Sequence, residues 1–376
     1  MKKSKISAIV FLCLSLICAY ISGKSFLNMH KEEPIVKGPG VTEIRMLSDY
    51  FPKLKDTAGD TEIYVLEGEK PGGSMLVLGG THPNEPAGML SAVLLIEKAK
   101  IESGTLYVIP RTNRSAFTHN DPQEGSPQKF RIKTPFGERW FRYGSRATNP
   151  IHQWPDPDVY IHASSGQQLS GSETRNLNRG YPGRVDGTFT EQVCYGVAEL
   201  IRKEKIDMEV DLHEASPEYP VINATVAHEK AMNVASMAVI NLQMEGIEMG
   251  IEPSPINLHG LTHRELGDHT DTLALLMETA NPAQGRLRGK TDENLVLTGI
   301  DPIYVQAGEQ GRLFVSFDET GHPMKQRVGR HIAGIKEFIN AFNEINPQNK
   351  LQLENVPNYE ELMDNGVGEY LLNPQR

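Results

Sequence analysis

The chain has 376 residues, 39% of them hydrophobic and 23% charged, the balance of a soluble globular protein. That length holds one large domain or two modest ones. A net charge of −10 excludes a general nucleic-acid binder, which needs a basic surface to neutralise phosphates.

Lys2, Lys3 and Lys5 precede an uncharged run from Ile6 to Gly23, closed by Lys24. A basic start followed by an apolar stretch reads as a secretory signal or a single membrane anchor, so residues 1–23 are assigned to it. The protein is then expected outside the cytoplasm, secreted or attached to a membrane through this segment. Residues 24–42 read as a linker. Cys13 and Cys18 fall in the apolar run, which leaves Cys194 alone and excludes an internal disulfide in the folded part.

Two strands are expected over Glu62–Leu66 and Ser74–Leu78, the second apolar enough to be buried on both faces. A helix follows over Pro86–Ala99, with proline early and apolar residues at helical spacing. A short strand, Leu106–Ile109, ends at Pro110. From Arg111 to Arg175 periodicity is lost, while Trp140, Phe141, Tyr143, Trp154 and Tyr160 are scattered through the stretch. Its aromatic content predicts an ordered insertion near a site.

Regular structure returns with a helix over about Thr190–Lys203, a strand over Met208–Leu212 and a helix over about Glu229–Met244. Glu252–Thr270 reads as a loop rich in Pro, Gly and His, and its His259, His263 and His269 are assigned no metal role. Leu273–Met277 is an apolar strand, and a last amphipathic helix spans about His331–Asn343. The alternation predicts an α/β fold: a mixed, mostly parallel sheet flanked by helices, in a single domain over residues 43–346. Residues 347–376 read as a polar tail.

Gly79-Gly80-Thr81-His82-Pro83-Asn84-Glu85 leaves a buried strand and enters a helix. His82 and Glu85 can converge on one ion across such a turn. His213 directly follows the strand Met208–Leu212, and Glu278 directly follows Leu273–Met277. Parallel strands would set all four along one sheet edge, where open α/β sheets bind ligands. Two histidines and one carboxylate form the ligand set of a catalytic zinc ion, and a further acid suits a general base. Asp211, two residues before His213, faces the same side and could support that ligand. The chain has neither a G-x-S-x-G elbow nor a Walker A loop.

Gly-Gly-Thr-His-Pro-Asn-Glu (79–85), Asn-Leu-Asn-Arg-Gly-Tyr-Pro-Gly (176–183), Asp-Leu-His (211–213) and Met-Glu-Thr (277–279) occur in this order. Together they resemble the zinc carboxypeptidase superfamily, most of all its succinylglutamate desuccinylase and aspartoacylase branch, over about Glu62–Phe342. The resemblance implies one zinc ion on His82, Glu85 and His213, and Glu278 as catalytic acid/base. It also implies that Asn178 and Arg179 grip a substrate carboxylate, a task suited to the planar guanidinium fork. An arginine upstream of that pair polarises the scissile carbonyl in the family; Arg142, Arg146 and Arg175 are the candidates, and Arg146 is chosen.

Two departures stand out. The branch usually carries Gly at the position of Pro83 and Asp at that of Asn176. The implied activity is hydrolysis of an amide bond in an N-acyl amino acid, or a related small-molecule or peptide substrate with a free carboxylate. It would proceed by a zinc-activated water and the Glu278 base. The alternatives are a metallocarboxypeptidase acting on cell-envelope peptides and, from another class, a metal-dependent binding or sensor protein.

Overall fold

The computed structural model describes residues 2–121 and 124–375; Met1, Pro122, Gln123 and Arg376 lie outside the description. Helix α1 (Lys2–Met29) comes first. Its Ser4–Met29 portion has a mean hydropathy of 2.3, is exposed along its apolar run, and by length and composition could cross a membrane.

Residues 24–42 do not form one linker. The first six complete α1, and the later ones lie along the body of the protein. Glu33 is buried and accepts from Arg111 Nε at 3.0 Å, while Glu32 pairs with both Arg111 and Arg114. Val36 donates its backbone N–H to Glu97 Oε1 at 3.1 Å.

The strands are β1 (Glu43–Met46), β2 (Glu62–Glu67), β3 (Lys70–Leu78), β4 (Lys100–Ile109), β5 (Lys129–Thr134), β6 (Gly137–Arg142), β7 (Val159–Ile161) and β8 (Gln168–Ser170). They continue with β9 (Met208–Ala215), β10 (Ala224–Ala227), β11 (Gly250–Pro253), β12 (Leu273–Ala280) and β13 (Gln352–Glu354). Nine of them build one mixed sheet in the order β1-β2-β4-β3-β9-β12-β10-β11, with β13 on β4. Its central strands, β4, β3, β9 and β12, run parallel; antiparallel pairings lie toward the margins.

Side chains alternate across these central strands. Met75, Val77, Val210 and Leu212 enter one core with α2 (Pro86–Lys98), α4 (Met232–Met244) and α8 (Met324–Ile345). Leu76 and Leu78 enter the other, with α3 (Phe189–Glu204) and Leu266 of α5 (Thr262–His269). A sheet covered on both faces explains why its inner strands read as continuous apolar runs. Helices α6 (Glu293–Thr298) and α7 (Pro302–Glu309) and the short α9 (Tyr359–Asn365) complete the set.

Three stretches differ from the sequence reading. Thr262–His269 is a helix, not loop: only Leu266 joins the core, so no apolar period marks it, and its hold comes from buried polar contacts described below. The irregular 111–175 stretch folds into two antiparallel hairpins, β5/β6 and β7/β8. Residues 347–376 add β13 and α9, and place Leu351, Leu362, Val367 and Leu371 in the core. Apolar residues spaced this widely carry no detectable periodicity.

Candidate active site and metal centre

Gly80 turns the chain at the end of β3 with φ +66°, a left-handed conformation that glycine adopts freely. An added Cβ there would also stand 2.7 Å from the Phe117 ring. The loop that follows carries His82 and Glu85, and Pro86 then opens α2. Glu214 caps that helix by accepting the Ala87 N–H at 2.9 Å. His213 and Glu278 sit directly across from each other in the β9–β12 register. Sheet geometry thus brings together residues 196 positions apart (278 − 82) in the sequence.

His82, Glu85 and His213 are all buried, with donor atoms within 4.8 Å of one another. His82 Nδ1 lies 3.0 Å from Glu85 Oε1, and His213 Nδ1 lies 2.9 Å from Glu85 Oε2. On its other side, His82 Nε2 donates to Asn176 Oδ1 at 2.8 Å. That bond assigns the ring proton to Nε2 and leaves the Nδ1 lone pair facing a carboxylate oxygen. Orienting a ligand histidine through its remote nitrogen is the usual support of a metal site.

The electrostatics fit a cation as well. Burial first, then the Arg146 charge, pushes His82 down to about 4, so its ring is neutral at pH 7. Burial alone would raise Glu85, but His82 and His213 hold it well below the ordinary carboxylate range. His213 moves the other way: against its burial, Asp211 and Glu85 raise it well above the usual imidazole value. Its Nε2 stands 2.8 Å from Asp211 Oδ2 but is too bent to hydrogen-bond. Two buried carboxylates, Glu85 and Asp211, facing these imidazoles call for positive charge between them. A divalent ion on two imidazoles and a carboxylate supplies it, so the residues fit zinc.

A cavity of about 1030 Å³ opens onto this cluster, and Arg146, Asn178, Arg179 and Glu278 line it. Glu278 is only half-buried, yet its Oε2 is shut off from solvent and has no hydrogen-bond partner among the described residues. Burial, helped by the nearby Glu85 and Asp211 charges and opposed by His213 and Arg146, pushes its carboxyl up to about 8.

Of the three candidate arginines, only Arg146 reaches the site, with its guanidinium 2.8 Å from Glu85 Oε1. Arg142 instead bonds the carbonyls of Phe117 and Gln128. Arg175 makes a two-pronged pair with Asp156 at 2.7 and 2.8 Å. Arg179 keeps its Nε 3.8 Å from Glu173 and donates to the Asn178 carbonyl at 2.6 Å. Asn178 spends its amide oxygen on the Thr262 N–H at 2.8 Å, leaving its NH₂ group to meet a ligand.

Further residues support the site, and of these the sequence singles out only Asp211. Asp211 accepts from Thr81 Oγ1 at 2.7 Å and from Thr262 Oγ1 at 2.5 Å, so α5 is tied to the metal loop through one carboxylate. Glu214 forms a fully buried pair with Arg327 of α8 at 2.6 Å, and the Glu214 N–H donates to Glu85 Oε2 at 3.1 Å. His331, also on α8, donates to the His213 carbonyl at 3.1 Å. The only sequence signal for any of these was the Asp-x-His spacing.

No family model matches the sequence, and no curated protein sequence matches it. Among solved structures, the chain is similar to a succinylglutamate desuccinylase from Silicibacter sp. TM1040, at 16% identity and a TM-score of 0.36. That match covers 60% of this chain and 55% of the other, so it spans little more than half of the desuccinylase. The tripeptide-bound cell shape determinant protein Csd4 from Helicobacter pylori matches at 11% identity and a TM-score of 0.46, over 81% of this chain and 59% of its own. A metallo-carboxypeptidase from Burkholderia cenocepacia matches at 11% identity and a TM-score of 0.44, over 85% and 68%.

Proposed function

We propose that this chain is a zinc-dependent hydrolase that cleaves an amide bond next to a free carboxylate, as in an N-acyl amino acid. The observation that carries the reading is the meeting of His82, Glu85 and His213 at one cavity with Glu278, whose Oε2 has no hydrogen-bond partner among the described residues. Held by those three ligands, zinc would supply Lewis-acid polarisation and a more acidic water.

The chain's own residues would do the rest. Arg179, with the NH₂ of Asn178, binds the substrate carboxylate and fixes which amide faces Glu278. Arg146, half-exposed at the cavity wall, turns from Glu85 toward the amide carbonyl oxygen and stabilises its developing charge. Glu278, whose raised carboxyl the charge of a bound ion would draw back to the carboxylate, takes the proton of the attacking water and returns it to the departing amine. Apolar walls at Leu258, Leu261 and Leu276 keep competing water away.

The size of the cavity favours a second reading, a metallocarboxypeptidase acting on cell-envelope peptides. About 1030 Å³ stands at the upper end of small-molecule pockets, roughly 300–1,000 Å³, and leaves room for several residues. The exposed apolar α1 supports an exported enzyme held at a membrane, its body pinned close by the Glu32 and Glu33 contacts.

Glu278→Gln tests the proposal, because it keeps shape and removes the base. Zinc content should be unchanged, and turnover of N-acyl amino acids or peptides should fall by at least ~100-fold. Wild-type turnover in the zinc-loaded variant would remove Glu278 from the mechanism. A zinc-loaded native protein inert toward the whole substrate panel would favour a binding or sensor role.

A further inference from the structure

Outside the cavity lining, His162, His259 and Glu265 gather with donor atoms within 4.8 Å of one another. They come from the turn after β7, the loop before α5, and α5 itself. His162 Nε2 donates to the Tyr181 carbonyl at 2.6 Å. A carbonyl only accepts, so the ring proton is on Nε2 and Nδ1 carries the lone pair, which the rotatable Ser165 hydroxyl meets at 2.8 Å and which an ion would take over from it. This is the same arrangement that orients His82, with a backbone carbonyl replacing Asn176.

The cluster is also held in place before anything binds. The side chain of Gln167 accepts from His259 N at 2.9 Å and donates to His259 O at 3.1 Å. The His162 N–H in turn donates to the Gln167 carbonyl at 2.8 Å. The two rings consequently lie nearly parallel, with centroids 5.9 Å apart.

Charge gives the second argument. Glu265 is 1% exposed, and among the described residues neither Lys nor Arg pairs with it. Its side-chain companions are imidazoles, His259 Nδ1 at 2.8 Å from Oε1 and His269 Nε2 at 3.2 Å from Oε2, and Oε1 also accepts the Gly260 N–H at 3.0 Å. A buried carboxylate without a permanent cation is costly unless positive charge is brought to it. His259 is partly exposed, which gives an ion a way in.

We propose that His162, His259 and Glu265 form a second divalent-cation site, which fastens the carboxylate-binding segment from outside the catalytic cavity. Imidazole and carboxylate donors suit zinc or its first-row neighbours. The neighbouring Gly260 connects the site to Arg179: its φ is +85°, and an added Cβ would lie 2.1 Å from the Arg179 carbonyl. The Gly260 carbonyl accepts from Tyr181 N, and the Tyr181 carbonyl accepts from His162. An ion tying β7, this loop and α5 together would therefore restrain residues 178–181.

The role of the segment rests on the proposed hydrolase, but the ion count does not. The test is elemental analysis of the full chain in detergent after zinc or cobalt loading and desalting. The native protein should carry two ions, and His259→Ala and Glu265→Gln one each. His82→Ala should also carry one, and the His82→Ala/His259→Ala pair none. Circular dichroism should show all variants folded. A native count of one that neither His259→Ala nor Glu265→Gln lowers would overturn the second site and leave the first intact. A native count of two that His82→Ala does not lower would refute the catalytic ligands instead.

Discussion

Asn176 is where this chain departs from its resembled branch, and the structure gives the departure a measurable consequence. Its Oδ1 accepts from His82 Nε2 at 2.8 Å and from Asn178 N at 3.1 Å, while its Nδ2 donates to Glu173 at 2.7 Å. Asn176→Leu removes the partner that orients His82. Losing such support typically costs ~10–100-fold in metal affinity, about 1.4–2.7 kcal/mol.

Asn176→Asp is more informative. A carboxylate makes His82 a more basic ligand, a gain of about 1.4 kcal/mol if it reaches the low end of that range. It also sets two carboxylates against each other where Asn176 now donates to Glu173. At an effective dielectric of ~20, charges ~4 Å apart repel by about 4 kcal/mol. Glu173 is a third exposed and can turn to water, which leaves about 1–2 kcal/mol. Gain and loss then cancel, and the single variant should bind zinc no more tightly than the native protein. Adding Glu173→Gln restores a donor, so the double variant should bind about tenfold more tightly. Competition with a chromophoric chelator measures all four proteins. Native affinity in Asn176→Leu, or equal tightening in the single and double Asp variants, would refute the reasoning.

Arg179→Ala should weaken substrates bearing a free carboxylate by about 2–3 kcal/mol, the value of a charge-assisted hydrogen-bond pair, and carboxylate-free analogues far less. Equal losses in KM and kcat/KM for both classes would show that Arg179 serves folding. Arg327→Met leaves Glu214 buried and uncompensated, and should lower stability by about 3–5 kcal/mol in urea unfolding. Combining it with Glu214→Leu should recover most of that loss, and a single-variant loss under ~1 kcal/mol would contradict the buried-pair argument. Leu362→Ala, in α9, should cost about 2–5 kcal/mol because Leu362 is fully buried; a negligible shift in the unfolding midpoint would return residues 347–376 to the status of a tail.

Local chemistry made much of this protein readable in one dimension. Strands buried on both faces leave continuous apolar runs, and Gly79-Gly80 marks the turn that ends β3. Those signals placed His82, Glu85, His213 and Glu278 at one sheet edge, because parallel strands of one sheet finish on the same side. Other features were settled only by the folded chain. Arg142, Arg146 and Arg175 are alike as sequence, but only Arg146 meets Glu85, while the other two are spent on Gln128 and Asp156. Helix α5 and the 347–376 segment carry too few apolar residues to show a period, and are held by Asp211, Asn178 and the core. Hydrophobic periodicity and turn preference act between near neighbours and survive in a string of letters. The partner of a charge or a lone pair is chosen across the fold, where residues 162, 259 and 265, or 82 and 176, first come within reach of each other.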